Sequence, residues 1–221
     1  MGRATGRAVQ VLVVIDRIGS TLGALHPLLS RRRLRRLAEA IFLDVVDAIR
    51  ESRLVDTIVL ATRDPEAGAL GRKAGIRVTD SVASETPDAS RVDPDKLVAI
   101  IRGDLPVLED QDLAFLLGRI GPPDRLLFVP TPDAEGLSLM VARGANAFVA
   151  DFDGGTLTSW TKEAERRGLA TEVFATPAGM RPSSPRDLLQ MYTSARPSRA
   201  KGLLKSWRIG PKLRELEGDQ G

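Results

Sequence analysis

The tetrapeptide Gly-Asp-Leu-Pro at residues 103–106 follows the apolar run at residues 97–101, with one arginine between them. An aspartate that leaves the end of a central strand is well placed to hold a divalent cation. Such a cation can bridge phosphate oxygens and neutralise charge on a leaving pyrophosphate. Gly103 would let the backbone approach a ligand, and Pro106 would fix the exit of the chain. An ordinary strand-to-helix turn uses the same residue types, so both interpretations stay open.

A second candidate is the run Ile-Gly-Ser-Thr-Leu-Gly-Ala-Leu at residues 18–25. Glycines beside small hydroxyl residues can expose backbone N–H groups to phosphates. The spacing matches neither the Walker lysine motif nor the dinucleotide glycine motif. We interpret this run as a nucleotide-binding loop, whose contact residues would be Gly19, Ser20, Thr21 and Gly23.

Basic residues are clustered although the formal net charge is only +3. One cluster spans residues 31–36, and another spans residues 196–212 without an intervening acid. The first falls where a helix is predicted to begin after Ser30. Each exposed basic residue at the positive end of a helix dipole costs roughly 0.3–1 kcal/mol. A bound anion would offset this cost. Alternatively, these basic residues form a solvated face of the helix and bind no ligand.

Composition excludes several classes of site. The chain has no cysteine and a single histidine, His26, which excludes thiolate chemistry, histidine-cluster metal centres and most Ser-His-Asp schemes. Aromatic residues make up 4%, which disfavours base-stacking platforms for nucleic acid. No apolar run approaches the ~20 residues of a membrane span. The apolar stretch at residues 8–15 leads into Asp16 and Arg17 instead of a cleavage site. The sequence therefore predicts a cytoplasmic protein.

Apolar runs alternate with helical periodicity along the chain, which predicts a single three-layer α/β/α domain around a mixed, mainly parallel sheet. In such sheets ligands bind outside the carboxyl ends of the strands, which selects the loops at residues 16–29, 103–106 and 130–136. The segment at residues 80–95 is predicted to be a loop. The predicted strands cover residues 8–15, 56–62, 76–79, 97–101, 125–130, 137–142 and 170–175. The predicted helices cover residues 30–52, 65–74, 109–120 and 158–168, with a last one beginning at Ser184.

The domain is expected to span residues 1–194, with a basic C-terminal tail at residues 195–221. Glycines and prolines at four tail positions disfavour a long helix or independent folding. The tail nevertheless carries apolar residues that can dock on the domain, and we expect Trp207 to be the main contact.

The order of these motifs resembles the 2-phospho-L-lactate guanylyltransferase family of deazaflavin coenzyme biosynthesis, a branch of the GT-A-like nucleotidyltransferases. The resemblance covers most of residues 8–193. It rests on the first strand and its loop, and on the segments Arg-Arg-Leu-Ala-Glu-Ala at 35–40, Gly-Asp-Leu-Pro at 103–106, Asp-Ala-Glu-Gly-Leu-Ser at 133–138, Phe-Asp-Gly-Gly-Thr-Leu at 152–157 and Ser-Pro-Arg-Asp-Leu at 184–188.

The resemblance implies a nucleotide-diphospho-sugar transferase-like fold and metal-dependent nucleotidyl transfer. The nucleotide would be a nucleoside triphosphate such as GTP, and the acceptor a small phosphorylated acid such as 2-phospholactate or phosphoenolpyruvate. Asp104 would hold Mg²⁺, and Arg17 would supply a basic group at the end of the first strand. The implied acceptor site comprises Gly136, Ser138, Gly155 and Thr156.

The chain departs from the family pattern at several points. Its first loop has no lysine, a base-reading helix is absent where residues 80–95 lie, and Arg181-Pro182 stands where an aspartate usually precedes the last helix. A rival hypothesis is therefore a degenerate member that serves as a binding or assembly subunit. Nucleic-acid binding through the basic tail is a third, disfavoured by the low aromatic content and modest net charge. The sequence leaves open whether the chain pairs with a second copy or a partner subunit.

Overall fold

The computed structural model of the protein describes residues 8–80, 97–120, 125–143 and 155–218. The predicted loop at residues 80–95 lies outside these ranges except for Asp80. The strands are β1 (Val9–Val14), β2 (Thr57–Ala61), β3 (Arg77–Thr79), β4 (Leu97–Arg102), β5 (Arg125–Pro130), β6 (Leu137–Arg143) and β7 (Ala170–Val173). The helices are α1 (Arg31–Glu51), α2 (Pro65–Lys73), α3 (Asp110–Arg119), α4 (Leu157–Arg166), α5 (Pro185–Thr193), α6 (Arg199–Ser206) and α7 (Gly210–Gly218). Within the described ranges, none of these helices is long and apolar enough to cross a membrane.

The described strands form one seven-stranded sheet in the order β3-β2-β1-β4-β6-β5-β7. The strand β6 runs antiparallel to its neighbours β4 and β5, and the other pairings are parallel. The prediction of a mixed, mainly parallel sheet is confirmed. Because β6 is reversed, its first residue Leu137 pairs with Pro130 at the end of β5. The loop between β5 and β6 therefore lies at the same sheet edge as the carboxyl ends of β1 and β4.

Both faces of the sheet are covered by helices. In β1, Val11 and Val13 pack on the face that carries α1, α2 and α3. Val14 packs on the opposite face, against Trp160 of α4. Two covered faces explain why the central strands are nearly continuous apolar runs without a polar alternation. The three-layer arrangement predicted from the sequence is confirmed.

The long helix α1 is buried on two sides. It begins where predicted, because the Ser30 hydroxyl accepts a hydrogen bond from the backbone N–H of Arg33 at 3.4 Å. One of its apolar faces packs on the sheet, and the other contacts α5, α6 and α7. The second face carries Leu34, Leu37 and Ile41, which we call the outer stripe of α1.

The C-terminal segment is folded into helices that cover the outer stripe. Ser198 caps α6, since its hydroxyl accepts from the N–H of Lys201 at 3.1 Å. Gly210 begins α7 where a Cβ would lie 2.6 Å from the Tyr192 ring, so glycine permits a close approach there. Gly210 and Pro211 were expected to break a long helix, and they stand at the start of the short helix α7. Trp207 is partly buried, and the buried contacts come from Ala200, Leu204, Ile209 and Leu213.

Candidate active site

A small cavity that opens to solvent lies where β1 and β4 end. Those strands are adjacent and parallel, so their carboxyl ends deliver two loops to one place. Ala38 and Ile41 of α1 form the wall behind the loops. The cavity brings together six residues predicted from the sequence: Arg17, Gly19, Ser20, Thr21, Gly103 and Asp104.

The loop after β1 has a fixed conformation. Its Ile18 N–H donates to the Asp64 carboxylate at 2.7 Å, and Asp64 also caps α2 through the N–H of Glu66. Gly19 has a φ of 76°, a left-handed conformation that favours glycine. The Ser20 hydroxyl donates to the carbonyl of Arg17 at 3.0 Å. The Ser20 hydroxyl therefore stabilises the turn at the cavity.

The same loop offers donors that no described residue uses. Within the described part of the chain, the backbone N–H groups of Arg17, Gly19 and Thr21 have no acceptor. The Arg17 side chain is exposed and forms no ion pair with a described residue. Backbone N–H groups without acceptors, beside a cationic side chain, can bind phosphate oxygens.

Gly103 is explained by packing at the end of β4. A Cβ at this position would lie 2.5 Å from Cγ1 of Ile15 and 3.2 Å from Cγ1 of Val13. Glycine therefore lets the two chains leave the sheet side by side. This close approach is what places the next residue, Asp104, in the cavity wall.

Asp104 is held between two arginines. Its Oδ1 accepts from Nε of Arg102 at 3.3 Å, and its Oδ2 accepts from Nε and Nη2 of Arg181 at 3.0 and 2.9 Å. Burial by itself raises the pKa of Asp104, but the charges of Arg102 and Arg181 and hydrogen bonds from Arg181 and Thr21 outweigh it. The pKa of Asp104 therefore lies below its ordinary value, and the side chain is a carboxylate at neutral pH.

These contacts do not fit the magnesium site expected at Asp104. Mg²⁺ requires oxygen ligands at roughly 2.0–2.1 Å in octahedral geometry. Here both carboxylate oxygens accept from guanidinium groups, which also bring positive charge to the place of a cation. Throughout the described ranges, no three Asp, Glu, His or Cys side chains gather in a group that could hold a metal ion.

Arg181 is the site residue that sequence reasoning missed. It follows the 3-10 turn Pro177–Gly179, in which a Cβ on Gly179 would lie 2.4 Å from the carbonyl oxygen of Pro130. Only glycine lets this segment lie so close to the end of β5. The one signal in the sequence was the Arg181-Pro182 pair itself, an arginine where the family pattern has an acid.

Ser138, expected in the acceptor site, lies inside the fold in β6. This residue is 0% exposed and donates its hydroxyl to the carbonyl of Gly179 at 2.6 Å. This hydrogen bond anchors the segment that leads to Arg181. Gly136 closes the turn between β5 and β6, because its N–H donates to the Thr131 hydroxyl at 2.9 Å.

The remaining predicted residues lie away from the cavity that contains Asp104. Thr156 is the N-cap of α4 and accepts from the N–H of Ser159 at 3.2 Å. A Cβ on Gly155 would lie 2.5 Å from Nε1 of Trp160, so this glycine serves close packing. Gly23 is exposed, and a Cβ there would meet no atom within 4 Å. Gly23, Gly155 and Thr156 are not part of the cavity lining.

Comparisons of sequence identify the relatives of this chain. The model of the family described as guanylyl transferase CofC like matches residues 9–216. A phosphoenolpyruvate guanylyltransferase from Conexibacter woesei is 26% identical over 177 residues, which cover 76% of this chain and 79% of that protein.

Comparisons of structure confirm the fold. A protein from Desulfovibrio desulfuricans G20, assigned to the nucleotide-diphospho-sugar transferases, superposes with a TM-score of 0.68 at 12% identity and covers 95% of this chain and 98% of its own. A nucleotidyl transferase from Methanothermobacter thermautotrophicus gives a TM-score of 0.61 at 14% identity, with coverage of 91% and 100%. The nucleotide-diphospho-sugar transferase-like fold expected from the sequence is the fold of this chain.

Proposed function

Since the chain belongs to the family of CofC-like guanylyl transferases, we propose that it transfers a guanylyl group from GTP to a small phosphorylated acid. The acceptor is 2-phospholactate or phosphoenolpyruvate, and the product enters deazaflavin coenzyme biosynthesis. The observation that carries this proposal is the cavity at the ends of β1 and β4. It combines unpaired backbone N–H groups, the free Arg17 and a charged cluster around Asp104.

The reaction requires positioning and charge stabilisation more than a protein nucleophile. A phosphate oxygen of the acceptor attacks the α-phosphorus of GTP and forms a new P–O bond. The bond from the α-phosphorus to the bridging oxygen breaks, and its electron pair leaves with pyrophosphate. An ionised phosphate has no proton to lose in this step, which suits a cavity whose lining contains neither histidine nor cysteine.

The residues of the first loop bind the triphosphate in this proposal. The N–H groups of Arg17, Gly19 and Thr21 donate to phosphate oxygens, and the Arg17 guanidinium neutralises part of their charge. Asp104 carries no proton and does not act on the reacting atoms. Its task is to hold Arg102 and Arg181 in place.

A second candidate is a nucleotide-binding subunit without catalysis. The observation in its favour is that both oxygens of Asp104 are already engaged by arginines, in a chain whose first loop also lacks a lysine. Such a subunit would bind GTP and release no pyrophosphate, which makes the two functions separable in one assay.

The test is to incubate the full chain with GTP and each acceptor and to measure pyrophosphate release and GTP binding. The guanylyltransferase releases pyrophosphate only when an acceptor is present. Arg17→Met should weaken GTP binding by about 10- to 100-fold, since a hydrogen bond to a charged group contributes about 1.5–3 kcal/mol. Arg214→Met, which removes an exposed arginine of α7, is the matched control and should leave binding unchanged. Absence of GTP binding under all conditions would refute both functions.

A further inference from the structure

We propose that the Arg181 guanidinium, held by Asp104, is the fixed cation of this site and binds the phosphate chain where a magnesium ion would otherwise act. The inference rests on the proposed function for the identity of the nucleotide. It adds a residue, Arg181, that neither the family pattern nor the sequence motifs assign to phosphate binding.

The first support is the unused donor capacity of Arg181. A guanidinium has five N–H donors. One from Nε and one from Nη2 go to Oδ2 of Asp104, at 3.0 and 2.9 Å. The others have no acceptor within the described part of the chain. The side chain is 22% exposed, so these donors remain within reach of a ligand.

The second support is the chemistry of the guanidinium group. Asp104 is a single carboxylate that is shared by two arginines, Arg102 and Arg181. Guanidinium groups match phosphate oxygens in a bidentate geometry. The Arg181 guanidinium can therefore stabilise charge on a leaving pyrophosphate.

The third support is the rigidity of the segment that carries Arg181. On one side Met180 is 2% exposed, and Gly179 lies against the end of β5. On the other side Pro182 is buried and α5 begins with a capping box between Ser184 and Asp187. A backbone fixed on both sides leaves little freedom to lose when a ligand binds.

The fourth support is the position of Arg181 between the two loops of the site. Asp104 lines the cavity beside the first loop. The pKa of Asp133, in the loop between β5 and β6, is lowered by the hydrogen bond from Thr131, then by the N–H of Glu135 and, to a smaller extent, by the charge of Arg181. Arg181 therefore lies near the place where nucleotide phosphates would meet an acceptor.

The experiment measures binding of inorganic triphosphate and of GTP to the full chain, in excess EDTA and in Mg²⁺. We expect the wild type to bind both with affinities that differ by less than about threefold between the two conditions. Arg181→Met should lose about tenfold or more in EDTA. Arg186→Met, an exposed arginine in the first turn of α5, is the matched control and should bind like the wild type. Arg181→Lys keeps the positive charge but loses the planar pair of N–H donors. Its affinity for triphosphate should lie between those of the wild type and Arg181→Met.

A second measurement uses the metal alone. Arg181→Asp would put a second carboxylate beside Asp104, and Mg²⁺ should then raise its Tm while leaving the wild-type Tm unchanged. Wild-type binding that requires Mg²⁺ and is unaffected by Arg181→Met would overturn the inference. A different outcome is that triphosphate binds through Arg181 in EDTA while GTP does not bind at all. That result would refute the proposed function but would still support phosphate binding by Arg181.

Discussion

The carboxylate of Asp44, in the middle of α1, accepts hydrogen bonds from the backbone N–H groups of both Arg199 and Ala200, each at 2.9 Å. Asp44 is 7% exposed. The start of a helix leaves its first N–H groups without partners in the helix, and Asp44 supplies an acceptor for two of those at the start of α6. The C-terminal helices are thus attached to the α/β domain by a buried polar contact in addition to apolar packing.

Replacing Asp44 with alanine should lower the free energy of unfolding by about 2–4 kcal/mol. The change removes a helix cap and leaves two N–H groups of α6 without an acceptor. Urea unfolding measures the effect. Asp47→Ala is the matched control, because among the described residues Asp47 pairs only with the half-exposed Arg199 side chain. That control should cost less than about 1 kcal/mol. Equal losses in both variants would contradict the capping role of Asp44.

The buried side chain of Leu204 tests whether the C-terminal helices belong to the core. Leu204 is 0% exposed and packs on the outer stripe of α1. Leu204→Ala should therefore destabilise the whole protein by about 2–4 kcal/mol in a single unfolding transition. The neighbouring Leu203 is only partly buried, and its alanine variant should cost clearly less. An unchanged transition in Leu204→Ala would show that α6 and α7 are dispensable for stability.

The lowered pKa of Asp104 predicts a pH dependence of stability. Burial opposes the shift, and the charges of Arg102 and Arg181 outweigh it. A carboxyl whose pKa is depressed in the folded state stabilises the protein fully above the pKa of the unfolded chain, about 3.9, and this contribution is lost as the pH falls through the folded-state pKa. Asp104→Asn should thus be most destabilising near neutral pH.

The measurement is urea unfolding of wild type and Asp104→Asn between about pH 7 and about pH 3. The difference in unfolding free energy should begin to narrow as the pH falls below about 4, where the carboxyl of the unfolded chain takes up a proton while that of the folded protein, with its lower pKa, stays ionised. A difference that stays constant over this range would mean that the loss arises from packing and not from the charge of Asp104.

Gly179→Ala tests the close approach that positions Arg181. The added Cβ would lie 2.4 Å from the carbonyl oxygen of Pro130, so the segment must move away from β5. We expect a loss of about 1–3 kcal/mol in unfolding free energy, together with weaker triphosphate binding. Gly118→Ala is the control, because a Cβ at this α3 position meets no atom within 4 Å. It should leave binding unchanged and raise stability by up to about 1 kcal/mol.

Local patterns were sufficient to predict most of the α/β domain. Ser30 and Ser184 cap the helices they were expected to begin, because a cap depends on residues within one turn. The C-terminal helices were missed for a related reason. Gly210 and Pro211 are unfavourable inside a helix. Whether they end a helix or begin one depends on the contact of Gly210 with Tyr192, which is too distant in the sequence for a local pattern to reveal.

The candidate site was predictable in part. The cavity gathers the residues at the ends of β1 and β4, because parallel strands bring their following loops to one edge. The pairing of Asp104 with Arg181 joins positions 77 residues apart and follows from no local spacing. Ser138 lies in β6, a strand whose two faces are both covered. Such a strand shows no alternation of apolar and polar residues, so its sequence does not indicate which positions are buried.

The attachment of α6 to α1 has a consequence for synthesis. Asp44 and Ala200 are 156 residues apart, and the ribosome adds about 5–20 residues per second. The outer stripe of α1 therefore emerges roughly 10–30 s before the segment that covers it. During that interval the leucine and isoleucine side chains of the outer stripe lack the contacts that α6 and α7 provide in the folded protein. We expect a chain that ends after α5 to leave part of this apolar surface exposed to solvent.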